Sequence, residues 1–180
     1  MKTIIWLIVA CLTSSIALGE EVVINIDRMA VLVPDQGQFS NRAAIHFAIP
    51  EAVYGREIAE AVLQCSLDFT GIQGQGDSVL EFLARDVTTD WTETATWSSP
   101  WFTPGGDVDT LSFYSYTITM SPAADIFMDM TAFVRSVAQD GRENYGLMLM
   151  PFKYDQPDFN VPVNIFQAIG ASAQIRIVYQ

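Results

Sequence analysis

The side chains of this sequence that could do acid–base, nucleophilic or metal chemistry are mostly carboxylates. The 180 residues include 21 Asp and Glu but only one histidine and two cysteines. A Ser–His or Cys–His couple needs histidine as its base, and His46 lies between the apolar Ile45 and Phe47, which predicts an outward position on a strand. One His and one or two Cys do not supply a usual zinc site. The sequence therefore predicts a protein that is not an enzyme.

Two uses of the carboxylates stay open. A glycosidase needs two carboxyl groups about 5–10 Å apart, but among 21 acids some pair meets this condition by chance. Calcium takes six to eight oxygen ligands, often from loops. Asp107 and Asp109 follow a Gly-Gly turn, and Asp155 and Asp158 flank a proline. These four aspartates are the candidate calcium ligands, and no other cofactor is expected.

Four aromatic residues are the candidate ligand-binding residues. Trp101 and Phe102 lie between two prolines and before a Gly-Gly turn, a setting that favours exposed rings. Tyr114 and Tyr116 point outward if Phe113 and its alternating neighbours point inward. They then form either a ligand strip on an open sheet face or cross-strand pairs, of which the pairs are favoured.

The elements that must position these residues are mostly strands. Apolar residues recur with a period of two in short runs that are separated by Gly, Pro and Asp. One helix is expected after Asp129 or Thr131 as N-cap, with Phe133, Val134 and Val137 on its apolar face. Strands are expected over residues 22–26, 29–33, 43–49, 61–69, 79–87, 110–120, 126–128, 146–152, 161–166 and 174–179. This pattern predicts an all-β fold, a jelly-roll-like β-sandwich with one short helix.

The N-terminus has the pattern of a targeting segment. Lys2 precedes an apolar run, and Ala17 and Gly19 are small residues three and one positions before Glu20. We expect a signal peptide over residues 1–19, a single domain over residues 20–180, and no membrane span in the mature chain. The alternative is a lipoprotein anchored at Cys11, at the end of a short lipoprotein-like box. The expected location is secreted, either extracellular or periplasmic.

Charge excludes several partners. The formal net charge is −12, so phosphate backbones and anionic surfaces repel the chain, and nucleic acid is not an expected partner.

Cys65 lies among alternating leucines, which predicts a buried and inert thiol.

Three segments together resemble one known family. Residues 42–69 carry an "R-x-x-I-x-F-x-I-P" strand and a second apolar run, residues 91–97 read Trp-Thr-Glu-Thr-Ala-Thr-Trp, and residues 129–147 combine Asp-Met-Thr, a short helix and Asn-Tyr-Gly-Leu. In order and spacing they resemble the DNRLRE, or disaggregatase-related, domains. The resemblance implies an extracellular or cell-envelope sandwich related to carbohydrate-binding modules, including alginate-associated ones. The few Lys and Arg of this chain argue against an alginate ligand.

The same resemblance marks a set of signature residues with structural roles. For the aromatic part, the favoured interpretation is a folded corner in which large rings plug the sandwich and Glu93 accepts backbone hydrogen bonds; the alternative is a platform for sugar rings. The signature residues are Trp91, Glu93, Trp97, Asp129, Thr131, Asn144, Tyr145 and Gly146.

The leading functional hypothesis is a non-catalytic secreted or cell-envelope domain with a structural or adhesive role that extends to carbohydrate binding. A polysaccharide or a surface protein is then the expected partner. The alternatives are a polysaccharide-active enzyme, either a lyase or a glycosidase, and a subunit of a surface protein assembly.

Overall fold

A computed structural model describes residues 19–35, 40–68, 79–119, 123–152, 161 and 163–180. Cys11, Asp155, Asp158 and the predicted signal peptide before Gly19 lie outside the described residues. Within them, nine strands form two antiparallel sheets, and the prediction of an all-β sandwich is confirmed.

The elements follow one another in short steps along the chain. The strands are β1 (Glu20–Asn25), β2 (Arg28–Leu32), β3 (Arg42–His46), β4 (Ile58–Asp68), β5 (Val79–Asp86), β6 (Tyr114–Thr119), β7 (Ala123–Asp129), β8 (Leu147–Phe152) and β9 (Gln174–Tyr179). The helices are α1 (Thr131–Ala138) and α2 (Val163–Ser172), and a 3₁₀ turn spans Glu51–Val53.

The topology is that of one long hairpin folded into two layers. Its arms pair β1 with β9, β3 with β8, β4 with β7, and β5 with β6, all antiparallel. Successive pairs fall in opposite sheets, which gives the orders β1-β9-β4-β7 and β2-β3-β8-β5-β6. With β2 as an added edge strand, this wrapping is a jelly roll.

The main core lies between the sheets. The period-two pattern of β3, β4 and β5 turns Ile45, Leu63, Cys65 and Phe82 inward, and each is at most 2 % exposed. Burial, with a smaller contribution from the Asp125 carboxylate, raises the pKa of the Cys65 thiol to about 12. The expectation of a buried cysteine is confirmed, and low reactivity of its thiol stays a prediction.

A second, smaller core lies on the outer face of the five-stranded sheet. Ala44 and Met148 alternate with residues of the main core, so they point away from it, yet both are fully buried. Residues 87–113, called here the tryptophan loop, cover them with Trp91, Trp97 and Trp101. The candidate site is built on this loop.

Helix α1 matches the sequence expectation closely. Phe133, Val134 and Val137 are buried, and helix and β4 pack together. Met130 holds the N-cap position, but Asp129 Oδ1 accepts the backbone N–H of Thr131 at 2.9 Å. Thr131 is the first helical residue, and its hydroxyl accepts the Ala61 N–H at 2.9 Å. The predicted N-cap, Asp129 or Thr131, is therefore corrected to Met130. Asp129 joins the end of β7 to the start of α1, and Thr131 joins α1 to β4.

The strand predicted over residues 161–166 is wrong, because this segment enters α2. Ile165, Phe166 and Ile169 are spaced to share one side of a helix, and all three are buried. A short apolar run is compatible with either a strand or a buried helix. Here the segment is helical, and its apolar residues pack against β4, β2 and β3. The expectation of one short helix is corrected accordingly. Among the described residues, neither helix is long and apolar enough to cross a bilayer.

Candidate functional site

The three tryptophans of the tryptophan loop form its buried base. Trp91, Trp97 and Trp101 are at most 7 % exposed. The indole N–H of Trp91 donates to the Tyr145 carbonyl at 2.7 Å, and that of Trp101 donates to the Thr96 carbonyl at 2.8 Å. The predicted burial of Trp91 and Trp97 is confirmed, but both rings cover the outer face of the five-stranded sheet instead of plugging the space between the sheets, so that part of the prediction is corrected. The expected exposure of Trp101 is wrong. Its ring finds apolar surface on the sheet below, which outweighs the prolines on either side.

Two arginines, Arg28 on the edge strand β2 and Arg42 on its neighbour β3, pack against the indole rings. The Arg28 guanidinium lies 4.6 Å from the centre of the Trp91 ring, and the Arg42 guanidinium lies 5.0 Å from that of Trp97. Arg42 also donates to the Gly105 carbonyl at 2.8 Å, and burial lowers its pKa. These cation–π pairs make the loop part of the fold rather than a loose connection.

Asp107 organises the turn at the end of the loop. Its Oδ2 accepts the Phe102 N–H at 2.8 Å and the Thr89 hydroxyl at 2.9 Å, and its Oδ1 accepts the Thr103 N–H at 2.8 Å. Desolvation opposes the charge, but these hydrogen bonds outweigh it and lower the pKa of Asp107. The sequence assigned this role to Glu93, which is exposed and makes no hydrogen bond to the described residues. That assignment is corrected.

A polar groove opens beside this turn. Its volume is about 520 Å³, and Thr88, Thr89, Thr103, Thr110, Phe102 and Asp107 line it. We call it the threonine groove. Phe102 lies on it with 92 % of the residue exposed, so the expected exposure of this ring is confirmed. The groove combines one open aromatic ring with several hydroxyl groups.

Tyr114 and Tyr116 point toward the interior, opposite to the sequence expectation. Both are half-buried against the main core, while Leu111 is 92 % and Phe113 is 64 % exposed. The reason is the register with β5. Tyr116 lies opposite Phe82, which is buried, and directly opposed residues share one face of the sheet. The prediction of an outward tyrosine strip is therefore wrong.

The signature residues 144–146 tie the second core to β3. The Asn144 side chain donates to the Phe47 carbonyl at 2.8 Å and accepts the Gly146 N–H at 3.1 Å. His46 lies at the outer face as predicted, with Nε2 3.2 Å from the Asn144 carbonyl and Nδ1 2.7 Å from Asp27 Oδ1. Gly146 has φ +84°, and a Cβ there would lie 2.1 Å from the Ile45 carbonyl oxygen. Only glycine fits this position.

A buried ion pair lies under the same corner. Asp86 is 1 % exposed and pairs with Arg142, whose side chain is 34 % exposed. Burial and the neighbouring Asp86 raise the pKa of Tyr114. This pair was not predicted, although a signal was present: Asp86 continues the inward series of Leu80 and Phe82 in β5. A buried carboxylate needs a cationic partner, and Arg142 reaches it from a partly exposed position.

Two of the four aspartates predicted to bind calcium, Asp107 and Asp109, accept hydrogen bonds within the tryptophan loop. Asp107 accepts the three hydrogen bonds described above, and Asp109 Oδ1 accepts the Leu111 N–H at 2.9 Å. In the described ranges, no group of three or more His, Cys, Asp or Glu is placed to hold a metal ion. Asp155 and Asp158 lie outside those ranges. Calcium binding at these four residues stays a prediction.

Comparison with known proteins adds no relative. Neither a scan of protein-family models nor a search of curated proteins found a match to this chain.

Proposed function

We propose that this protein is a non-catalytic secreted or cell-surface domain that binds a neutral carbohydrate in the threonine groove. The observation that carries the proposal is that the exposed Phe102 ring lies beside four threonines in the lining of this groove. The predicted signal peptide supports export, and the resemblance to DNRLRE domains supports a carbohydrate ligand.

The chemistry of the groove matches a sugar ring. A pyranose has an apolar C–H face, which packs on an aromatic ring, and a rim of hydroxyl groups, which exchange hydrogen bonds with other hydroxyls. Phe102 supplies the first surface, and Thr88, Thr89, Thr103 and Thr110 supply the second.

Charge favours a neutral glycan over a uronic acid polymer. Among its described lining residues, the groove holds no lysine or arginine and one carboxylate, Asp107. The net charge of the chain is −12. A polyanionic glycan would be repelled both locally and at long range.

Binding without cleavage is the better-supported activity of this groove. A glycosidase needs two carboxyl groups that face the same bond. Asp107 is the single carboxylate in the described lining, and its lowered pKa keeps it ionised, so it is a poor general acid. Reducing-sugar or unsaturated-end release from a polysaccharide panel would contradict this part of the proposal.

The test is a glycan array probed with the wild-type domain, Phe102→Ala and Phe127→Ala. Phe127 is a matched control, since it is a 46 % exposed phenylalanine on β7 of the other sheet. We expect wild type and Phe127→Ala to bind the same neutral glycans and Phe102→Ala to lose about tenfold or more in affinity. Arms with and without calcium test the predicted metal. No wild-type binding in either arm would overturn the proposal.

A second candidate is a subunit of a surface assembly, favoured by the adjacent exposed side chains of Leu111 and Phe113. Light scattering after size exclusion over a range of concentrations distinguishes the two. Self-association that Leu111→Ser abolishes supports this candidate, and a monomer at all concentrations contradicts self-assembly.

A further inference from the structure

A second cavity adjoins the threonine groove. Its volume is about 220 Å³, and Val87, Thr88, Asp109, Arg142, Glu143 and Tyr145 line it. We call it the tyrosine cavity. Thr88 lines both openings, so the two lie on either side of this residue.

The ridge between the two openings is one short, pinned segment. Val108 and Thr110 line the groove, whereas the residue between them, Asp109, lines the cavity. A β-bridge joins Val108 to Val87, and the Asp109 N–H donates to the Asp86 carbonyl at 2.9 Å. Because successive residues of an extended segment point to opposite sides, Val108 and Thr110 face the groove and Asp109 faces the cavity, so this segment separates the two openings.

The tyrosine cavity carries both donors and acceptors. Arg142 supplies guanidinium N–H groups, Asp109 and Glu143 supply carboxylate oxygens, and the Tyr145 hydroxyl donates to Glu143. A sugar diol both donates and accepts, and its hydrogen bonds to charged groups are the stronger kind. The buried Asp86 already neutralises Arg142, which disfavours an anionic ligand.

Resting on the proposed function, we propose that one oligosaccharide runs across the ridge and fills both depressions, so that the domain recognises internal stretches of a neutral polysaccharide chain. Phe102 then holds one sugar unit in the groove, and Tyr145 and Glu143 hold a later unit in the cavity. A ligand of two units fills only the groove.

The experiment is isothermal titration with neutral cello-, laminari-, xylo- and chito-oligosaccharides of two to six units. The variants are Tyr145→Ala and Glu143→Gln, and the control is Tyr54→Ala, a 47 % exposed tyrosine that lines neither depression. Tyr145→Ala removes the ring but keeps the carbonyl that accepts the Trp91 indole. Thermal melts verify that each variant folds, and Glu143→Gln, at an exposed position, provides a test that does not disturb packing.

We expect the Kd of the wild-type domain to fall by about tenfold or more from the dimer to the hexamer. Both cavity variants should weaken binding of the six-unit oligosaccharide about five- to tenfold and leave binding of the two-unit oligosaccharide unchanged. The control Tyr54→Ala should bind both as the wild-type domain does. An affinity independent of length, or hexamer binding by both cavity variants equal to wild type, would overturn the two-depression proposal while leaving groove binding intact. A wild-type domain that binds no member of the panel would instead overturn the proposed function, and this inference with it.

Discussion

Asp107 shows how one charged residue can hold a functional surface in place. It is only partly buried, yet its carboxylate accepts hydrogen bonds from the Phe102 backbone and from two of the threonines that line the groove, Thr89 and Thr103. Because the groove is already ordered, ligand binding does not lose the conformational entropy of ordering the groove. The same carboxylate links the shape of the groove to pH.

Asp107→Asn is expected to reduce the acid sensitivity of the fold. The folded-state pKa of Asp107 is lowered, so its stabilisation is fully present above the unfolded pKa of about 3.9 and is lost as pH falls through the folded value. At neutral pH the variant should lose about 1–2 kcal/mol of unfolding free energy. Denaturant unfolding at several pH values between about 3 and about 7 measures both effects.

Glu93→Gln is the matched control for Asp107→Asn, because it removes a carboxylate of the same loop that makes no hydrogen bond to the described residues. It should keep wild-type stability at every pH. A pH profile of Asp107→Asn that parallels wild type would show that the hydrogen bonds of Asp107 do not stabilise the turn. Asp129, whose pKa is also lowered, accounts for part of the acid sensitivity that remains.

At the scale of elements, the helices are short and depend on the sheets. An eight-residue helix such as α1 is marginal alone in water, so its stability comes from the face that packs on β4. The start of α1 is tied to the same strand, since Met130 N–H donates to the Ala61 carbonyl at 2.8 Å and Arg135 donates to the Ile58 carbonyl at 3.0 Å. Helix and strand are expected to unfold together.

Phe133→Ala tests this dependence. Phe133 is 1 % exposed in the main core, so the truncation should cost about 3–5 kcal/mol of unfolding free energy. Phe127→Ala, in which the removed ring is 46 % exposed, should cost far less. Equal melting midpoints for Phe133→Ala and wild type would show that the apolar face of α1 contributes little to stability.

At the scale of the whole molecule, the domain is closed by pairing its first and last strands. Glu20 of β1 lies opposite Tyr179 of β9, and the register continues to Asn25 opposite Gln174. The predicted cleavage before Glu20 therefore leaves all of β1 in the mature domain. The net charge of −12 repels polyanions at long range.

Export should yield a polypeptide that begins at Glu20 and carries no lipid. The apolar stretch before Gly19 is longer than the stretch before Cys11, which favours the later cleavage site. Intact mass spectrometry of the exported protein measures the outcome. A mass that includes acyl chains on Cys11 would establish the lipoprotein alternative instead.

The sequence by itself determined the fold class and most of the main core. The alternation in residues 43–49 and 61–69 identified inward residues such as Ile45 and Leu63, because a strand with one buried face requires a period of two. The apolar face of α1 was also visible from the spacing of Phe133, Val134 and Val137. Each of these features depends on local spacing.

Only the tertiary structure decided how the site is assembled. The inward direction of Tyr116 follows from its register with Phe82, and the helical state of α2 follows from packing on β2, β3 and β4. Trp101 is buried because Ala44 and Met148 leave apolar surface for the tryptophan loop to cover. The groove and the cavity lie on either side of Thr88 because a bridge brings Val108 to Val87. These are contacts between residues distant along the chain, and periodicity within one segment carries no information about which surface another segment will offer.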